Sequence, residues 1–171
     1  SGGEYGIALQ HYGEYSQAYP QEEVFLRMAK CCLALAREQE ACSHYARCID
    51  EIKDPQDICF LADLFYRCDQ VEYAIVCYEK MLKADKTYQL PADFVHHLFL
   101  SGYYGTLVRW YEQYDLPLEN MDLVMALGDH YRICGKKEKA LEYYELCCEQ
   151  SLMPCADALA FMVECYADAD N

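Results

Sequence analysis

A chain of 171 residues, 54% apolar and 25% charged, is long enough for one domain or one compact array of small units, and too apolar to stay disordered. Its formal charge of −15, from 29 acids against 14 Lys and Arg, excludes a basic nucleic-acid footprint and sets the chain against an anionic membrane surface. No run of about 18 apolar residues occurs, so no transmembrane helix is expected.

The first expected element is a helix over residues 4–18, with Ala8, Tyr12 and Tyr15 at steps of four and three. The same triplet then returns every 33 residues: Ala41, Tyr45 and Cys48; Ala74, Tyr78 and Met81; Leu107, Tyr111 and Tyr114; Ala140, Tyr144 and Cys147. A second pattern precedes each recurrence. It places Met28, Leu61, Phe94 and Leu127 directly before Ala29, Ala62, Val95 and Gly128, with Cys32, Phe65, Leu98 and Tyr131 one helical turn on. Each unit therefore reads as two amphipathic helices joined by a short polar turn such as Cys68-Asp69-Gln70 or Cys134-Gly135-Lys136. So short a turn makes the pair antiparallel. The small residues, Ala62 with Ala74 and Gly128 with Ala140, let the backbones approach, and the tyrosine fills space toward the next unit. The units run 22–54, 55–87, 88–120 and 121–153, with a terminal helix at 155–168 that carries Phe161 and Cys165 in a register shifted by one.

A fixed period of this length is the signature of a helical repeat. The fullest match is Val124-x-x-Leu127-Gly128-x-x-Tyr131-x-x-x-Gly135-x-x-x-x-Ala140-x-x-x-Tyr144-x-x-Cys147, which resembles the tetratricopeptide repeat family. The resemblance covers nearly all of the chain, 1–171. It is weaker in 88–120, where Val95 and Leu107 replace the small pair and Pro91 takes the opening apolar position, so the helices there are expected to splay or the first to be short. The resemblance implies an all-α, right-handed superhelical solenoid of antiparallel helix pairs, about ten helices in all, with first helices lining a concave groove. The opening Ser1-Gly2-Gly3 and the start inside a repeat read as a segment of a longer solenoid, or one completed by a partner.

Chemistry-bearing constellations are scarce. Acid pairs such as Glu22-Glu23 and Asp50-Glu51 sit on polar faces or helix ends, without the enclosure that separates two pKa values. His96 and His97 point about 100° apart on a helix and chelate one metal poorly. No C-x-x-C spacing occurs, so no zinc site is expected, and the twelve cysteines read as small core residues in a reduced cytoplasmic or nuclear setting. No catalytic residue, metal or cofactor is expected, and the chain reads as a non-enzyme.

The function that follows is protein–protein interaction, within a larger multi-subunit protein. First-helix residues off the packing stripe face the groove, and those expected to contact a partner are Lys30, Cys59, Phe60, Asp63, Tyr66, His96, Phe99, Met125, Asp129 and Arg132. The resemblance also offers a carboxylate-gripping subset of the family, but the matching places here hold Lys30 and then Asp63, His96 and Asp129, which suit a basic or amphipathic peptide better. Tyr103, Tyr104 and Trp110 form a candidate convex patch, with space filling as the alternative for Trp110. Self-association as a homodimer is the second reading of the whole chain; nucleic acid and membrane are not expected partners.

Overall fold

The computed structural model describes residues 2–150 and 156–169. It is all-α among those residues, with ten helices: α1 (Gly2–Ala18), α2 (Glu22–Ala34), α3 (Glu38–Tyr45), α4 (Pro55–Arg67), α5 (Val71–Ala84), α6 (Ala92–Leu100), α7 (Tyr104–Tyr114), α8 (Met121–Ile133), α9 (Lys137–Gln150) and α10 (Ala156–Ala169). Each 33-residue period holds two of them, α2–α3, α4–α5, α6–α7 and α8–α9. Residues 151–153, the expected end of the fourth repeat, and residue 155, the expected start of the terminal helix, lie outside the described residues. The chain forms two compact units, Ser1–Asp85 with α1 to α5 and Lys86–Asn171 with α6 to α10.

The periodic positions are the core of both units. Met28, Leu61, Phe94 and Leu127 are buried, as are Cys32, Phe65, Leu98 and Tyr131 one turn later. Ala29, Ala62, Ala41, Ala74 and Ala140 are fully buried, which is what close backbone approach requires of a small side chain. Three of the five tyrosines, Tyr45, Tyr78 and Tyr144, are buried; Tyr12 and Tyr111 are half-buried. Helix α1 packs against α2 and has no fully buried residue. In α10, Phe161 takes the inward role expected of it, its ring 5.4 Å from that of Tyr144 in an edge-to-face contact.

Four turns inside the helix pairs share one geometry that the sequence only half declares. Ala36, Asp69, Gly102 and Gly135, each 33 residues apart, all have positive φ, between 55° and 77°. The N–H that follows reaches back to the carbonyl five residues earlier: Arg37 to Cys32 at 2.9 Å, Gln70 to Phe65 at 2.8 Å, Tyr103 to Leu98 at 2.9 Å and Lys136 to Tyr131 at 2.9 Å. This is a Schellman cap, which satisfies carbonyls the helix end would leave bare. Two of the turns use glycine, which enters the left-handed region freely; Ala36 and Asp69 hold it at a cost.

The second helix pair starts on a built cap. Asp54 accepts from the N–H groups of Gln56 at 2.9 Å and Asp57 at 3.3 Å, and Pro55 fills the first helical position, where no N–H is needed. Asn120 caps α8 in the same way, at 2.9 Å from the Asp122 N–H. The third repeat departs as its sequence suggests. Helix α6 has nine residues and opens at Pro91. Helix α7 packs more extensively against α8 than against α6, whereas α2–α3, α4–α5 and α8–α9 pack intimately as pairs. The bulkier Val95 and Leu107 are both buried in that looser pair.

Gly128 refines one expectation. Its nearest neighbour is the Tyr144 ring rather than the Ala140 backbone: a Cβ built on Gly128 would lie 2.6 Å from Tyr144 Cε1. The missing side chain makes room for the wedge tyrosine of its own repeat.

Candidate partner-binding surface

The connection between the first two repeats borders a cleft in the first unit. After α3, a 3-10 turn at Ile49–Glu51 leads to Ile52, and both Ile49 and Ile52 are buried. Lys80 on α5 donates to the Ile49 carbonyl at 2.5 Å and lies 3.4 Å from Asp50, tying the turn to the next repeat. A cleft of about 490 Å³ opens between α2, this connection and α4.

Leu26 and Lys30 line the cleft from α2, and Phe60 lines it from α4. Tyr45, Cys48, Ile52 and Leu61 form its buried floor. Phe60 is 45% exposed and so presents an aromatic face to the cleft. The rim carries Glu22, Glu23, Glu51, Asp54 and Asp57 against Lys30 and Lys53, a local excess of three negative charges. Two of these acids are already engaged: Glu23 pairs with Arg27 at 2.6 Å, and Asp54 caps α4. Among the described residues, Glu22, Glu51 and Asp57 make no ion pair.

The expected contact residues divide accordingly. Lys30 and Phe60 share the cleft, whereas Cys59, Asp63 and Tyr66 lie on α4 outside it. Asp63 pairs with Arg67 at 3.0 Å, and Arg67 also reaches Glu38 at 3.5 Å. In the second unit, His96 Nδ1 lies 3.0 Å from Asp122, joining α6 to α8. Phe99 is half-buried with its ring 5.6 Å from Tyr104, and Met125 is half-buried. Leu100 and Ile133, one period apart at the ends of α6 and α8, are 69% and 70% exposed.

Asp129 is bound into the framework. It accepts the Tyr144 hydroxyl at 2.6 Å and an Arg132 N–H at 3.3 Å, while Arg132 Nε donates to the same hydroxyl at 3.1 Å. Burial and the hydrogen bond to Asp129 push the Tyr144 phenol well above its ordinary range. The candidate convex patch is corrected here: Trp110 is fully buried, and Tyr103 and Tyr104 are half-buried, so no exposed tryptophan anchor exists on that face. Cys77, one period earlier than Trp110, is buried too. The position before the wedge tyrosine faces a neighbour in those repeats, and the space-filling alternative describes Trp110.

Sequence reasoning missed the contribution of the connection. Glu51, Ile52, Lys53 and Asp54 border the cleft, although only first-helix residues were expected there. The Asp54-Pro55 pair is a helix-start signal and could have placed that segment at the mouth of the groove. A second cleft, of about 280 Å³, lies in the irregular third repeat, with Leu90, Val95, Leu107, Leu116 and Pro117 in its wall.

Little among the described residues resembles a reaction centre. No group of three or more His, Cys, Asp or Glu is placed to hold a metal among the described residues. Cys134 Sγ lies 3.6 Å from His130 Nε2, but Cys134 is exposed at the end of α8 and the pair lines neither cleft. Of the eleven described cysteines, seven are buried. Burial pushes Cys42 and Cys77 up to about 12, far from a reactive thiolate. No helix of the described residues is long and apolar enough to cross a membrane.

No family model matches the chain, and no curated protein matches it in sequence. Among solved structures it is similar to one described as the crystal structure of MamA, with a TM-score of 0.45 and 17% identity over 86% of this chain and 89% of that chain. The likeness is weak, and the helical-repeat fold rests on the chain's own helix pairs.

Proposed function

We propose that this chain is a non-catalytic scaffold of the tetratricopeptide type that holds a segment of another protein against the first helices of its first unit. One observation carries the reading. Leu26 and Lys30 from one repeat and Phe60 from the next open into a common cleft whose floor is apolar and whose aromatic wall is half-exposed. A cleft of about 490 Å³ lies in the range that accepts a large side chain or a short segment. Buried thiols with raised pKa and scattered histidines argue against catalysis as the main task.

The test is selection of binding peptides from a random displayed library on the intact chain, followed by affinity measurement on a Leu26→Ser/Phe60→Ser variant. Selected peptides are expected to lose about tenfold or more in affinity on that variant, as hot-spot truncation typically gives. Peptides that bind the variant equally well, or a library that yields no binders, would refute the reading. Circular dichroism of the variant checks that the helices persist.

A further inference from the structure

We infer that the cleft of the first unit selects a cationic amphipathic segment, one that lays a large apolar side chain beside Phe60 and sets Lys or Arg against the rim. The inference rests on the scaffold reading and adds the chemistry of the partner. Its basis is the mismatch between floor and rim. The floor of Tyr45, Cys48, Ile52 and Leu61 is buried and apolar, so it favours an apolar insert. The rim carries three carboxylates, Glu22, Glu51 and Asp57, that no described cation neutralises. These charges come from three separate elements: the first turn of α2, the 3-10 turn and the first turn of α4.

Two of them, Glu22 and Asp57, also stand where a helix dipole favours an acid, which explains their presence without a ligand. That explanation does not reach Glu51 or the exposure of Phe60. Nor does it supply a counter-charge, since Lys30 and Lys53 leave the cleft net negative. An anionic or carboxylate-terminated segment would meet repulsion here, and a neutral apolar one would leave the rim unpaired. A cationic amphipathic segment satisfies both surfaces, and opposite charge steers its approach.

The chain's overall charge of −15 attracts any polycation, so the test has to separate the cleft from the whole surface. The probes are three fluorescein-labelled 14-residue helical peptides of leucine with lysine, glutamine or glutamate, read by anisotropy at 150 mM NaCl. The full chain is compared with a rim variant, Glu22→Gln/Glu51→Gln/Asp57→Asn, and with a control of equal charge change on the exposed face of α9, Glu138→Gln/Glu142→Gln/Glu149→Gln. Loss of three exposed pairings is expected to weaken the Leu/Lys peptide about tenfold on the rim variant and less than twofold on the control. Phe60→Ser is expected to weaken it about tenfold on its own.

Equal weakening by both triple variants would overturn the inference, because binding would then follow the field of the whole molecule. Equal affinity for the Leu/Gln or Leu/Glu peptide would overturn it too. If that affinity still fell with Phe60→Ser, the scaffold reading would stand and only the cationic preference would fail. Indifference of every peptide to Phe60→Ser would remove the cleft as a binding site, and both readings with it.

Discussion

Replacing Gly128 with alanine sets two opposite expectations against each other. In an exposed helix interior the change stabilises by about 1 kcal/mol, because alanine restricts the unfolded chain and favours helix. Inside α8, the new Cβ would meet Tyr144 Cε1 at 2.6 Å and Cδ1 at 2.8 Å, closer than real contacts allow. The ring has little room to yield. It is 1% exposed, its edge lies against Phe161, its hydroxyl donates to Asp129 at 2.6 Å, and it accepts from Arg132 at 3.1 Å. Overpacking of this kind costs about 1–3 kcal/mol. Moving the ring to escape would instead weaken a hydrogen bond to a carboxylate, worth about 1.5–3 kcal/mol. The two costs are partly alternatives, so against the propensity gain the net expectation is destabilisation by about 1–3 kcal/mol.

Urea unfolding measures this directly. Trp110, the sole tryptophan, is fully buried in the same unit and reports its unfolding by fluorescence, with far-UV circular dichroism as the second probe. The midpoint is expected to fall. Adding Tyr144→Leu removes the ring that Cβ strikes, so the double variant should lie at least about 1 kcal/mol closer to Tyr144→Leu alone than additivity predicts. A Gly128→Ala midpoint that is unchanged or higher would refute the reasoning, since propensity would then govern and the close approach would not exist.

Other perturbations follow from the same structure. Ala36 holds a left-handed φ of 55° outside its helix, so Ala36→Gly should stabilise by about 1 kcal/mol and Gly135→Ala should destabilise by about as much, read as urea midpoints. Trp110→Ala should cost about 3–5 kcal/mol of stability, and rescue by Trp110→Phe should be partial, with melting followed by circular dichroism; a variant as stable as the parent would contradict its burial. His44 is held below its ordinary pKa of 6.5, first by burial and then by Arg47, with Glu40 opposing; its Nδ1 is buried without a hydrogen-bond partner. The folded state therefore prefers the neutral ring, and the unfolded chain binds more protons. Stability from this site is intact above pH 6.5 and lost as pH falls from there toward the folded-state value. The urea midpoint between pH 7.5 and pH 5.5 should fall less in His44→Phe than in the parent; an identical fall in both would exclude His44 as the source. Finally, Cys59 and Cys134 are exposed and should alkylate first with iodoacetamide, whereas Cys32, Cys42 and Cys77 should label only as the units open, as mass spectrometry of digests would show.

Much of the fold was legible because a helix repeats its facing every 3.6 residues, and a repeat protein must present the same face in each unit. That periodicity alone placed Ala29, Ala62, Ala74 and Ala140 in the core, and all are fully buried. It also marked residues 88–120 as irregular, where α6 is short and α7 leans more on α8. The candidate site was half legible. Phe60 and Lys30, two of the expected contact residues, line the first-unit cleft, but the connection that walls it was not expected there, because a loop has no period to betray its direction.

What the sequence determined by itself is the helical period and the inward facing of most positions that recur with it. The tertiary structure decided what stands opposite those faces. It put the Tyr144 ring against Gly128, closed space over Trp110, and bound Asp129 to Tyr144 and Arg132 while leaving Glu22, Glu51 and Asp57 of the first-unit rim without an ion pair. The physical reason is that facing is a local property of backbone geometry. Exposure, pairing and the shape of a cleft depend on neighbours many residues away, whose approach is set by side-chain volume and packing rather than by spacing along the chain.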